Sequence, residues 1–121
     1  MARPADPARR RAERYGRRAE TLAGLLLMAQ GFRILERRLR GPGGEIDILA
    51  RRGKLLVACE VKARRRDEAE LVAPRQWQRI AAALDGYVAR RAQLAGCDRR
   101  FDLIEIVAGH LPRHHRDVWR P

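Results

Sequence analysis

The chain has 121 residues, room for one domain and not two. Its formal net charge of +12 points to a polyanionic partner: nucleic acid first (a ribosomal setting included), an anionic membrane surface second. No apolar run approaches the ~20 residues that span a bilayer, and Cys59 and Cys97 are far apart in sequence and form no CxxC pair, so neither a membrane span nor a disulfide framework is expected, and a reducing, cytoplasmic setting is.

Residues 1–11, rich in Pro and Arg, read as a disordered basic tail without a signal peptide, and residues 12–121 as a single domain. Ala19, Leu22, Ala23, Leu26 and Ala29 recur at helical spacing, which predicts a helix over 12–30 that stops at Gly31. Phe32 to Leu39 reads as a strand, and GPGG at 41–44 as a turn rather than a phosphate cradle, since no helix or Lys-Ser/Thr follows it. The segment GGEIDILARRGKLLVACEVK at 43–62 then reads as two strands, Glu45 to Ala50 and Lys54 to Lys62, joined by a tight Arg51-Arg52-Gly53 turn. A charged loop follows, then a helix from Pro74 to about Ala95 with Ile80, Leu84, Tyr87 and Val88 in its buried stripe. Phe101 to Val107 is a fourth strand, and residues 108–121 form a tail with room for a short edge strand near Val118. The order is α-β-β-β-α-β. It predicts an α/β fold in which the second helix crosses over to bring the fourth strand in parallel, with a helix on each face of a mixed sheet.

The strand-like segments carry Glu45, Asp47, Glu60 and Lys62 among Ile, Leu and Val. Buried charge is costly unless it is paired or bound to metal. Side chains two apart share a face, so Glu45 and Asp47 should point one way, Ile46 and Ile48 the other, and Glu60 and Lys62 should lie together. Across a hairpin Asp47 and Glu60 can approach each other, and two close carboxylates do not both ionise without a cation between them. Mg²⁺ or Mn²⁺ suits such oxygen donors. The plainer reading is a wet sheet face of salt bridges. Lys62 is the more telling residue: among 27 Lys plus Arg only Lys54 and Lys62 are lysine. A generic ion pair would accept arginine, the better bidentate partner.

GEID followed by EVK at this spacing resembles the PD-(D/E)XK nuclease signature. More closely, the chain resembles the YraN-like family of bacterial proteins, which is similar to archaeal Holliday junction resolvases. The resemblance runs from about Gly16 to Val107 through GRRAETLAGLLL, GFRILERRLRGPGGEIDILA, LLVACEVKARR, PRQWQRIAAAL and RFDLIEI. It implies a restriction-endonuclease-like fold, a divalent metal and phosphodiester cleavage in DNA, on branched or unusual structures. Carried over by position, it implies Asp47 and Glu60 as metal ligands and Lys62 as the lysine that positions the attacking water. It also implies Glu20, in RRAETLA, as the helix-borne acid that joins the catalytic and metal set, and a homodimer that cuts two strands symmetrically. Arg75 stands where the family often has lysine, and Ile46 where the wider signature has proline.

Around the acids lie arginine runs at 9–11, 37–40, 64–66 and 90–91. Arg40, Arg64, Arg65, Arg66 and Arg75 are the expected phosphate contacts, the run after Lys62 lying at the mouth of the site. His110, His114 and His115 read as a solvated tail, not a zinc site. Trp77 is open to helix packing or, with Trp119, to base stacking, and Asp102 to a strand-end cap or an arginine partner. The expected function is a metal-dependent DNA endonuclease. The alternative is a non-catalytic nucleic-acid-binding protein on the same fold, and a third reading is a basic structural module with splayed, solvated acids.

Overall fold

The computed structural model describes residues 6–41, 43–64 and 72–121, apart from the side chains of 9–13 and 15. Helix α1 (Pro7–Ala29) leads into strands β1 (Arg33–Gly41), β2 (Gly44–Arg52) and β3 (Leu55–Arg64). Helix α2 (Pro74–Ala89), a 3₁₀ turn (Ala92–Leu94), β4 (Asp98–Val107) and β5 (Arg113–Trp119) complete the chain. The five strands form one sheet in the order β1-β2-β3-β4-β5, antiparallel except for β3 with β4.

Helix α1 reaches back into the segment expected as a tail. Asp6 caps it by accepting a hydrogen bond from the Ala8 N–H at 3.1 Å, and Pro7 occupies the first turn, where its missing donor costs nothing. Residues 1–5 lie outside the described residues. The buried stripe of α1 is Ala19, Ala23 and Leu27, small enough to let the helix sit close over β3, while Leu22, Leu25 and Met28 face solvent. Among the described residues no helix is long and apolar enough to cross a membrane.

The other face of the sheet packs on α2 through Trp77, Ile80, Leu84, Tyr87 and Val88. Gly44 makes that contact close: a Cβ there would lie 2.4 Å from the Arg79 carbonyl oxygen. Helix α2 ends at Ala89, short of the expected Ala95, and the 3₁₀ turn leads into β4, which starts at Asp98 and pairs with β3 over the whole length of both.

One strand expectation is corrected. Ile46 belongs to the α2-side core and Ile48 to the α1-side core, so they do not share a face. Strand β2 changes phase at Asp47, and its ladder with β3 extends only from Ile48↔Cys59 to Arg52↔Leu55. The C-terminal tail is a seven-residue edge strand, β5, pinned to β4. It lies where a short edge strand near Val118 was expected, and it is longer than that expectation.

Candidate active site

The change of phase in β2 opens the ladder at the acids. Asp47 turns its Oδ2 to the Val61 backbone N–H, at 2.8 Å, and takes the acceptor role that a strand carbonyl would otherwise fill. Glu60 follows Cys59 on β3 and faces the α2 side with only 5% of its surface exposed. Its Oε1 accepts from Gln76 Nε2 at 2.7 Å and lies 3.5 Å from Lys62 Nζ. Asp47 and Glu60 lie within hydrogen-bonding reach of each other. Asp47, Glu60 and Lys62 therefore converge, neither splayed nor solvated.

Burial, and then the charge of Asp47, push the Glu60 pKa up to about 7, against a smaller opposing pull from Lys62. Burial also raises Asp47, more than the Val61 hydrogen bond lowers it. The Asp47 charge opposes ionisation of Glu60, because like charges at this range repel strongly where burial limits hydration. The donor set suits a divalent cation in its chemistry: hard carboxylate oxygens brought together from two strands.

Glu20 stands apart from the pair. From α1 it is near enough to raise the Asp47 pKa, but its Oε2 accepts from Arg38 Nε at 2.7 Å. Among the described residues no three His, Cys, Asp or Glu side chains close on one point. The sequence-expected triad is thus a pair with a third acid tied to arginine.

Beside the pair an open cleft of about 470 Å³ runs along the β1–β2 turn, lined by Arg40, Glu45, Gln76 and Arg79. Arg40 lines this cleft, and Arg75 is exposed on the first turn of α2. Arg64 differs from expectation. It is buried, with its Nη1 3.3 Å from Glu105 Oε2, because it shares the inner face of β3 with Glu60 and Lys62. Arg65 and Arg66 lie outside the described residues. Gln76 and Arg79 went unread in the sequence, although Gln76 lies one turn before Ile80. A polar side chain in line with an apolar stripe was the available signal.

The histidine, tryptophan and Asp102 readings are settled by β5. Asp102 is fully buried in β4, held by Arg100 through two contacts of 2.9 Å, by His114 Nε2 at 2.7 Å and by the Asp117 N–H at 3.0 Å. Burial alone would raise its pKa, but these hydrogen bonds outweigh burial and hold it below the usual carboxylate range. His114 is therefore a strand-locking residue, not part of a solvated tail. Trp77 and Trp119 stack on each other, both edge-on to Phe101, with centroids 6.5 Å apart, so their faces are committed to the core and not to bases.

A five-stranded mixed sheet with a helix on each face, and acids gathered where its central ladder opens, is an α/β architecture consistent with restriction-endonuclease-like proteins. The chain belongs to the family described as Uncharacterised protein family UPF0102, whose model matches residues 19–106. It is 47% identical over 112 residues to a UPF0102 protein of Parvibaculum lavamentivorans, covering 91% of this chain and 84% of that one. It is 46% identical over 116 residues to one of Maricaulis maris, covering 94% and 91%. A UPF0102 protein of Caulobacter vibrioides is 47% identical over 110 residues, covering 89% and 88%.

Proposed function

We propose that this protein is a divalent-metal-dependent endonuclease that cleaves phosphodiester bonds in DNA. The observation that carries the reading is the close Asp47–Glu60 pair, held by the Val61 N–H and Gln76, with Lys62 Nζ 3.5 Å from Glu60, beside an arginine-lined cleft. An acidic centre in a basic surround is what phosphodiester hydrolysis needs. Asp47 and Glu60 would hold Mg²⁺ or Mn²⁺. When bound, the cation supplies Lewis-acid charge neutralisation and a water of lowered pKa. Gln76 fixes the Glu60 carboxyl and leaves its Oε2 free of that bond. Lys62 Nζ, half-exposed, orients the attacking water and opposes the charge that develops on the phosphoryl oxygens. Arg40, Arg75 and Arg79 bind flanking phosphates. The resemblance to junction resolvases supports branched DNA as the substrate class and a homodimer as the acting form.

A second reading, a non-catalytic nucleic-acid-binding protein on the same fold, is favoured by one observation: Glu20 is engaged by Arg38 and does not complete a three-acid site. The discriminating experiment incubates the protein with branched, duplex and single-stranded DNA and with Mg²⁺ or Mn²⁺, while Mn²⁺ binding is followed by calorimetry. Cleavage that disappears in Lys62→Ala while Mn²⁺ binding persists supports the enzyme, since an ammonium is not a ligand. DNA binding with no cleavage of any substrate, unchanged in the acid variants, replaces it with the binding protein.

A further inference from the structure

We propose that Arg38 is the resident counter-ion of the site: it holds Glu20 in the metal-free chain and releases it to join Asp47 and Glu60 when a divalent cation loads. This inference rests on the metal-site reading above and concerns how that site is completed.

Three observations carry it. Successive residues of a strand point to opposite faces, yet Arg37 and Arg38 both reach α1. Arg37 donates to the Glu20 carbonyl at 3.3 Å and lies so close over Gly24 that a Cβ there would fall 2.4 Å from its Nη2, while Arg38 Nε donates to the Glu20 carboxylate at 2.7 Å. What permits this is the backbone of Arg38, at φ 52, a left-handed conformation that a non-glycine residue seldom adopts and that clusters at functional sites. The second observation is register. The pairs Arg37↔Ile48 and Leu39↔Ile46 place Arg38 directly across from Asp47. The guanidinium therefore stands among Glu20, Glu45 and Asp47, and all three act on it electrostatically. The third is access. Glu20, Arg38, Gly16 and Arg17 line an open hollow of about 390 Å³, so the contact is wet on one side and either partner can swing. Gly16 leaves that side without a side chain to obstruct it.

A half-exposed arginine–carboxylate pair is weak enough to be exchanged for a divalent cation and strong enough to keep an acid parked. The strained backbone aims the arginine at one acid in particular, which a diffuse positive field would not require.

The test is a double-mutant cycle read by Mn²⁺ calorimetry on the full chain: wild type, Arg38→Gln, Glu20→Gln and the double variant, with thermal melts confirming the fold. Arg38→Gln is expected to tighten Mn²⁺ binding about two- to fivefold, the scale of an exposed ion pair. Glu20→Gln is expected to weaken it, and Arg38→Gln to tighten it by distinctly less once Glu20 is gone, leaving only the effect of its charge on Asp47. If Arg38→Gln tightens binding equally with and without Glu20, Arg38 is only a nearby charge and the exchange is overturned. The same holds if it leaves binding unchanged or weakens it. Loss of Mn²⁺ binding in Asp47→Asn reports the site itself, so a failed exchange on an intact site is told apart from a failed site. Wild type that binds no Mn²⁺ overturns both. A second readout is the Arg38 Nε–H resonance during a Mg²⁺ titration: it shifts if Glu20 departs, and a resonance that stays put while Mg²⁺ binds overturns the proposal.

Discussion

At the residue scale the site is a problem of one proton. Glu60 is raised from an ordinary carboxyl pKa to about 7 by burial and by Asp47. A carboxyl whose folded pKa is raised contributes stability that is fully present below its unfolded value near 4.5 and is lost as pH rises through about 7. The metal-free protein is therefore expected to lose stability between about pH 5 and pH 8, by up to ~3 kcal/mol from this group. Urea melts at the two pH values measure it. Glu60→Gln should flatten the loss, because the neutral amide keeps the Gln76 contact without the charge. Addition of Mn²⁺ should stabilise the wild type more at the higher pH, where ligands need not shed a proton. Asp47 calls for a different substitution. Its Oδ2 is the acceptor for the Val61 N–H, so Asp47→Ala orphans that donor at a cost of about 1–3 kcal/mol. Asp47→Asn keeps an acceptor oxygen. It is expected to melt near the wild type while losing Mn²⁺ binding, which separates folding from ligation in two measurements, a melt and a calorimetric titration.

At the element scale the sheet order and the convergence of Asp47, Glu60 and Lys62 were legible, because alternation on β2 and β3 and the tight turn between them fix which residues meet. What was not legible comes from backbone events that leave no periodic trace. The phase change at Asp47 puts Ile46 and Ile48 on opposite faces, and nothing in GEIDILA announces it. The left-handed Arg38 sits in a run of arginines that reads as uniform surface. Strand β5 is written RHHRDVW, and the inward turn of His114 makes sense only once Asp102 is there to receive it. The inward position of Arg64 was not legible because an arginine run after Lys62 looks like phosphate-binding surface, while the strand carries Arg64 inward to Glu105. The GPGG turn shows how an element joint serves the site. Gly44 admits the Arg79 backbone against β2, which brings Gln76 over Glu60. Gly44→Ala is expected to push α2 off the strand, costing about 1–3 kcal/mol as overpacking and weakening Mn²⁺ binding through lost positioning of Glu60. Retained stability together with unchanged Mn²⁺ affinity would show that the close approach is incidental.

At the scale of the whole molecule the charge of +12 surrounds a centre that is locally acidic. Both readings of the function need that excess, so charge alone does not separate them, but its distribution predicts which arginines matter. Arg40 and Arg79 face the cleft and Arg75 is exposed beside it, whereas Arg64 is buried on Glu105. Each phosphate neutralised on duplex DNA contributes about −0.9 to the slope of log K against log salt. Arg40→Ala, Arg75→Ala and Arg79→Ala are each expected to weaken DNA binding evenly across sequences and to make the slope shallower by about one unit. Arg64→Ala should leave the slope alone and lower the melting temperature instead, because it removes a buried side chain and one of the two partners of Glu105, the other being His115. Asp47→Asn and Glu60→Gln should do the reverse of the cleft arginines, leaving binding intact or tighter, since each puts a neutral amide in place of an acid on a surface that meets phosphates. Fluorescence anisotropy across a salt series measures all six variants. Binding that stays flat from low to moderate salt would mean that the arginines hold no phosphates, and it would remove the nuclease and the binding-protein readings together.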